Sequence, residues 1–496
     1  MMDQMMRAQF TSRYQAGAKE LQFLPGQGVD MGLIGGNTFG RYKKISSAET
    51  INMIVTDGAL VSFLGYENVI SLNGTNGREI FTSPKFNHMI VVVDSFVYIV
   101  DTNLASDQIG QLETTSGPVY IAENLGSQLA ICDGVAIYIF NYSTDKFTKV
   151  VVNFQPKFIS FQDTYFIAAD GLSNRFRLSD NNNGLSWPDD ASHVGQIQTK
   201  ATICTAPVPL DRQLFVFGQT VCEPWQDIGY TLFPYQRSNS LSIDYGCVNA
   251  ATIASGFGII AWLGSNEKTG ISIMFSQGGP GQRLSNDGID FVFSKMKKPN
   301  DSVGFIFREA GHIFYVITFI TDNVTYAFDF NTKMFFTLVD HEMNHHIARR
   351  VTFFNGNYYF VSLIDGNVYK MSSTINTLNG KEMPRFRILK NLSIPNGDRF
   401  VVSNINLTME QGFLEGEQQE NLDLLPSLRP RIDLSASKDG GEHFWNVAPH
   451  RMNRFGKRQN VCNFWNIGAF NDCTLKFAFW GKQRFCVKQA YGSIYQ

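Results

Sequence analysis

From residue 49 onward the chain alternates short apolar runs with small polar breaks. The runs are rich in Val, Ile, Phe and Tyr, and the breaks in Gly, Asn and Asp. Such runs between turn formers predict β-strands. They come in pairs. Residues 89–93 and 96–100 flank Asp94-Ser95, 129–132 and 135–140 flank Asp133-Gly134, and 157–161 and 164–168 flank Gln162-Asp163. Farther on, 305–307 and 312–319 lie on either side of Gly311, and 351–354 and 357–361 flank Asn355-Gly356. Asp-Gly and Asn-Gly suit two-residue hairpins because both central positions take φ > 0. Further pairs near 214–217, 257–263 and 271–275 set a recurrence of roughly 30 to 50 residues, which predicts a β-propeller of roughly six or seven blades. The repeat lies in pattern and not in identity, so a large irregular β-sandwich stays open as the alternative.

Two regions depart from this recurrence. Residues 1–48 are rich in Gly, Gln and Met, contain Pro25-Gly26 and Gly35-Gly36, and show no sustained apolar period. That composition suits an extended arm ordered against a neighbour, or an exposed leader. After Pro384 the strands expected at 400–409, 431–436, 461–466 and 473–480 no longer follow the blade spacing. The expected architecture is therefore all-β: an N-terminal extended arm over 1–48, a β-propeller over 49–385 and a C-terminal β-sandwich-like domain over 386–496. This last region is polarised, with five acids and no base over 409–424 and eight Lys/Arg against the single acid Asp472 over 446–496. Complementary patches of that kind suit docking between subunits, or simply form solvated faces.

Composition narrows the function classes. Only 17% of the 496 residues are charged, while 13% are aromatic and 42 are Phe. Soluble domains average roughly 25% charged residues, so this surface is poor in solvating charge and suits coverage by other protein. The net charge of −2 supplies no global field to attract phosphate, which disfavours a free-standing nucleic-acid binder. Seven cysteines (Cys132, Cys204, Cys222, Cys247, Cys462, Cys473 and Cys486), odd in number and without CxxC, fit reduced thiols made in a cytoplasm. The opening MMDQMMRAQF has no apolar signal-peptide core. The most apolar stretch, 89–100, is broken by Asp94 and too short to cross a bilayer.

Three motifs invite chemistry. His341-Glu342-Met343-Asn344-His345 matches HExxH, with His346 adjacent. On a helix that spacing puts two imidazoles on one face for zinc and leaves the Glu to activate water. Here the segment links two apolar strands without an amphipathic helix, so a loop is expected, and His341 and His345 remain the metal candidates of a zinc-protease alternative. Ser437, Asp439, Gly441 and Phe444 fit the Asp-box turn S-x-D-x-G-x-x-[WF], and Asn182, Gly184 and Trp187 mark a degenerate relative. The chemistry of such turns is structural, with a carboxylate or amide bonding the backbone, Gly taking φ > 0 and an aromatic packing back. Asp-boxes also occur in sialidase propellers, which keeps glycan binding or cleavage as an alternative, although cleavage needs carboxylates or a Tyr placed in a pocket. The Gly-rich 278–283 lacks the GK[ST] of a phosphate loop, and no GxSxG is present. No catalytic residue and no cofactor are expected.

Three blocks carry a resemblance. Glu49-Thr50-Ile51-Asn52-Met53, then Gly58-Ala59-Leu60 and Gly65, form the first. The second runs through Phe217-Gly218, Thr220-Val221-Cys222-Glu223-Pro224-Trp225 and Gly229, followed by Gly246, Ala261-Trp262-Leu263-Gly264 and Ser285. The third is 431–441, ending in Ser437-Lys438-Asp439-Gly440-Gly441, with Phe464-Trp465-Asn466-Ile467-Gly468 after it. In order and spacing these blocks resemble the packaged-DNA-stabilisation, or tail-accessory, proteins of short-tailed bacteriophages, which form the hub or nozzle below the portal. The usual Pro before the first block's last Gly is Leu64 here. The resemblance implies a non-enzymatic virion-tail protein, made and assembled in the host cytoplasm. Its implied partners are further copies in a hexameric ring, the portal and head-to-tail adaptor, and tail fibres, spikes or needle. It also implies transient contact with packaged double-stranded DNA during retention and ejection of the genome.

Overall fold

A computed structural model describes residues 28–41, 47–230, 232–238, 241–394, 397–410, 430–451 and 459–495. Most of the expected arm and most of the acidic 409–424 stretch lie outside these residues.

Short local hairpins dominate. The first blade is the antiparallel series Gly77–Ser83, His88–Val93, Phe96–Val100 and Ser106–Gln111. Five more sheets follow in chain order at 120–150, 156–196, 206–237, 246–283 and 303–338. The seventh blade combines Ala348–Phe354, Asn357–Ser362 and Val368–Ser372 with Gly65–Ile70, a strand from before the first blade. Pairing between the two ends of the repeat closes the ring without an open seam, and the innermost strands neighbour one another in order from Gly77–Ser83 round to Ala348–Phe354. The fold is thus an all-β, seven-bladed propeller.

The turns explain why the pattern is legible. Asn355 and Gly356 sit at φ of 45° and 78°, the two left-handed positions a tight hairpin needs. Two expected turns differ in detail. At blade 2 the Asp133 carboxylate accepts the N–H groups of Val135 and Ala136 at 3.0 and 2.8 Å, so a side chain closes a wider turn. At blade 3 the turn is Asp163-Thr164, not Gln162-Asp163, because Gln162 is buried and pairs with Tyr165.

The remaining strands form a second body from both ends of the chain. In one sheet the outer strand of blade 6, Met334–Leu338, runs parallel to Glu49–Ile51, which pairs in turn with Arg385–Ile388. Asp472–Trp480, Arg431–Ser437 and Trp445–Arg451 extend the same sheet. A second sheet contains Met53–Thr56, Ala59–Ser62, Cys486–Tyr495, Phe400–Glu410 and Gln459–Phe470, with Gly28–Asp30 added to Cys486–Tyr495. Glu49–Ser62, expected to open the propeller, therefore hydrogen-bonds with strands of this second body. The described part of the expected arm packs on its own chain: Met31 and Leu33 are buried in the shared core, and Phe39 meets Tyr326 and Phe335 edge-on. That core runs without a break from Ile405, Phe464 and Phe477 into Phe314 and Phe336 of blade 6 and Phe360 of blade 7. Burying continuous apolar surface across the junction holds the two bodies together.

Candidate functional site

The HExxH segment forms a turn. The Asp340 carboxylate accepts the N–H groups of Glu342 and Asn344, both at 2.8 Å, and Met343 takes φ of 68°. No helical face aligns the imidazoles: the His341 Nε2 lies 2.6 Å from Lys381 Nζ, and the His345 Nδ1 lies 3.0 Å from the His346 carbonyl oxygen. His346 is buried, and its Nδ1 accepts the Ala348 N–H at 3.2 Å. Burial lowers its pKa to about 4, with His345 adding to the shift and Asp340 opposing it. Among the described residues, the group of three side chains near enough to share a metal is Asp439, Glu442 and His443, away from this turn.

Those three belong to the Asp-box turn, which bonds internally. The Asp439 Oδ1 accepts the N–H groups of Glu442 and His443 at 3.0 Å each, and its Oδ2 lies 2.7 Å from His443 Nδ1. Ser437 Oγ accepts the Gly441 N–H at 2.9 Å, and Gly441 sits at φ of 89° under the Phe444 ring. A hydrogen bond with Ser437 and those from His443 hold the Asp439 carboxyl well below the usual range. The degenerate relative works across blades: the Gly184 N–H donates to Gln128 Oε1 at 2.8 Å, the Asn182 carbonyl accepts from Asn124 Nδ2 at 2.9 Å, and Trp187 Nε1 closes on the Gly184 carbonyl at 2.8 Å. This turn staples blade 3 to blade 2.

The first two sequence blocks resolve into joints, while the third ends in the internally bonded Asp-box turn. Asn52 is buried at φ of 50°; its amide donates to the carbonyls of Val339 and Pro384 at 3.0 and 2.9 Å and accepts the Val339 N–H at 2.9 Å. One side chain thereby fastens the first block to blade 6 and to the start of the second body. Glu223 is fully buried, and its Oε1 accepts the N–H groups of Gln198 and Thr199 at 3.0 and 2.6 Å, tying blade 4 to the connector from blade 3. Trp262 donates to the Gly246 carbonyl at 3.1 Å, and a Cβ on Gly246 would stand 2.3 Å from the backbone of Gln219 and Thr220. Sequence reasoning missed another joint, Arg387. Its guanidinium is buried and donates to the carbonyls of Leu33, Gly36 and Gly32 and to Thr50 Oγ1, at 2.9 to 3.3 Å. The available signal was Arg385-Phe386-Arg387 inside an apolar strand, where a cation must find acceptors.

Two concavities stand out among the described residues. One is an open groove of about 490 Å³ beside Trp225 and Phe233, with Arg175, Asp189 and Asp190 on its wall. Both carboxylates are already engaged, Asp189 with Arg177 and Asn153, Asp190 with Ser192 and His193. The other is a cavity of about 280 Å³ on the propeller axis, where Glu79 pairs with Arg350. The seven cysteines are free and all but Cys486 are buried; burial pushes the thiols of Cys132 and Cys247 up to about 12, which makes them poor nucleophiles. Among the described residues no helix is long and apolar enough to cross a membrane.

Comparison with solved structures returns propellers at low identity. A virginiamycin B lyase from Staphylococcus aureus is 11% identical, with 62% of this chain and 99% of that one covered at a TM-score of 0.44. The WD40 β-propeller domain of Doa1 is also 11% identical, with 63% and 98% covered at 0.39. No curated protein matches the chain. A family model described as "Bacteriophage P22 Gp10, beta-propeller" matches residues 47–376, from the strand before Asn52 through the seventh blade. With the propeller closed over that span and the shared motifs serving as its joints, the chain belongs to this tail-accessory family of short-tailed bacteriophages.

Proposed function

We propose that this chain is a structural subunit of the phage tail, assembling as a six-fold ring below the portal and adaptor. There it continues the DNA channel, helps retain the packaged genome until ejection, and anchors fibres, spikes or a needle. Membership in a phage tail-accessory propeller family is the observation that carries this reading. The placement of the shared motifs supports it: Asn52, Glu223 and Gly246 secure blades and sheets to each other, which is what a load-carrying scaffold needs. Scale bears on where DNA passes. The axial cavity holds about 280 Å³, whereas the major groove of a duplex is by itself about 12 Å wide. A duplex therefore cannot thread the propeller, and the channel lies between copies arranged by contacts that close under rotation. In this role the chain is not an enzyme.

The test is electron microscopy of the purified full chain, alone and with portal-bearing particles. Class averages are expected to show a six-fold ring with a central opening wide enough for duplex DNA, seated under the portal. A chain that stays monomeric at high concentration and does not join such particles overturns the reading.

A further inference from the structure

The open groove of about 490 Å³ lies between blade 3 and blade 4, and its size falls in the range of roughly 300 to 1,000 Å³ common for small-molecule sites. Blade 3 supplies Arg175 and Gln196, which stand opposite each other on its two outer strands, Arg175–Leu178 and Val194–Gln196. Gln198 follows on the connector to blade 4. Blade 4 supplies Trp225 and Phe233, whose rings meet edge-on at 6.3 Å, and the buried Phe176 packs edge-on against Trp225 at 5.4 Å. The aromatic wall is thus fixed by its own packing, as a preorganised site requires.

The polar groups of the groove include donors and acceptors that the protein leaves unused. Trp225 is only 5% exposed, and its indole Nε1 is buried without a hydrogen-bond partner, whereas Trp187 and Trp262 close on backbone carbonyls. A buried donor without an acceptor is costly, and one carried by a residue lining a groove asks for an acceptor from outside the chain. Among the described residues the exposed side chains of Arg175, Gln196 and Gln198 make no hydrogen bond. Asp190 meets Ser192 and His193 through Oδ1 alone, which leaves its Oδ2 as an acceptor. Charge does not call for an ion: Arg177 offsets Asp189, and the lining then holds one cation, Arg175, and one anion, Asp190. A sugar hydroxyl both donates and accepts, and the C–H face of a sugar ring packs on the electron-rich face of an aromatic ring. An extended peptide would need a longer strand edge to pair with than the three residues of Val194–Gln196 or of Tyr235–Arg237.

We propose that this groove binds an uncharged saccharide. Trp225 Nε1 donates to a sugar oxygen, Arg175, Gln196 and Asp190 Oδ2 meet its hydroxyls, and Phe233 covers a C–H face. The site goes beyond the ring assembly proposed above and stands or falls independently of it.

The experiment is a saturation-transfer NMR titration of the full chain with neutral trisaccharides of glucose, galactose, mannose, rhamnose and N-acetylglucosamine, and with trigalacturonate as the charged counterpart. Saturable binding of at least one neutral trisaccharide is expected, tighter than that of trigalacturonate. With the tightest of them, Trp225→Phe is expected to weaken binding by about two- to tenfold, the size of one lost hydrogen bond. The double variant Arg175→Ala with Gln196→Ala, at exposed positions, is expected to weaken it by about tenfold or more while melting normally. No binding of any neutral trisaccharide by the unaltered chain overturns the proposal, as does tighter binding of trigalacturonate. Unchanged affinity in either folded variant overturns it as well, and the double variant decides alone if Trp225→Phe does not fold. The last arm is a peptide array: peptide capture that the double variant abolishes, without saccharide binding, would assign the groove to polypeptide and sink the idea.

Discussion

Blade 2 lies within residues 120–150, each strand pairing with its neighbour in sequence. The second body joins Gly28 to Ser493, Glu49 to Ile388 and Leu60 to Val487. Both are antiparallel β-structure with apolar inner faces, but the first closes loops of a few residues and the second closes loops of hundreds. Loop-closure entropy grows with separation, so contacts of the second kind form late and lean on a few strong joints. The propeller spreads its stability over many small inter-blade contacts. The second body concentrates polar satisfaction in buried groups such as Arg387 and Asn52.

The sharpest way to break this contrast is Arg387→Met. Four acceptors lose charge-assisted bonds, each worth about 1.5–3 kcal/mol before the gain from no longer burying the charge, so a net loss of about 4 kcal/mol is expected. Urea unfolding followed by tryptophan fluorescence should show the second body melting before the blades; a loss under about 1 kcal/mol would remove the distinction drawn between the two regions.

The junction itself should respond to acid. Burial lowers the pKa of His346 to about 4, against about 6.5 when unfolded. Above pH 6.5 the imidazole is neutral in both states and contributes no pH dependence. As pH falls from about 6.5 to about 4, the unfolded chain takes up a proton that the folded chain refuses, and stability drops by up to about 3 kcal/mol before levelling off. Denaturation midpoints measured across that range should fall more steeply in the natural chain than in His346→Gln; parallel curves would mean that the imidazole is protonated at similar pH in both states.

The smallest effect is expected inside the propeller. Asn124→Ala removes the bond to the Asn182 carbonyl and the acceptor for the Gln128 N–H. A cost of about 1–2 kcal/mol follows, with a single unfolding transition retained. A second transition assignable to blades 2 and 3 would show that this staple is not redundant.

How far the sequence was readable follows the same divide. The hairpins at 89–100 and 351–361 were placed from alternating apolar runs and turn residues, and the propeller from their recurrence. The Asp-box was placed from its short spacing, since Ser437, Asp439 and Gly441 bond within one turn. Arg387 was not legible, because its acceptors at Gly32, Leu33 and Gly36 are more than 350 positions away. HExxH was legible for the same local reason: its flanking apolar strands carry no amphipathic helix, so a loop was expected, and Asp340 folds the segment into a turn.

By itself the sequence determined the period of the strands, the chemistry of their turns and the low surface charge, because each depends on a residue and its near neighbours. Only the tertiary structure decided that there are seven blades, that Gly65–Ile70 closes the last of them, and that Gly28–Asp30, Glu49–Ile51, Met53–Thr56 and Ala59–Ser62 join the C-terminal strands in one body. Those outcomes rest on which distant apolar faces meet and which buried polar groups find partners. Neither condition is written in any single stretch of the chain.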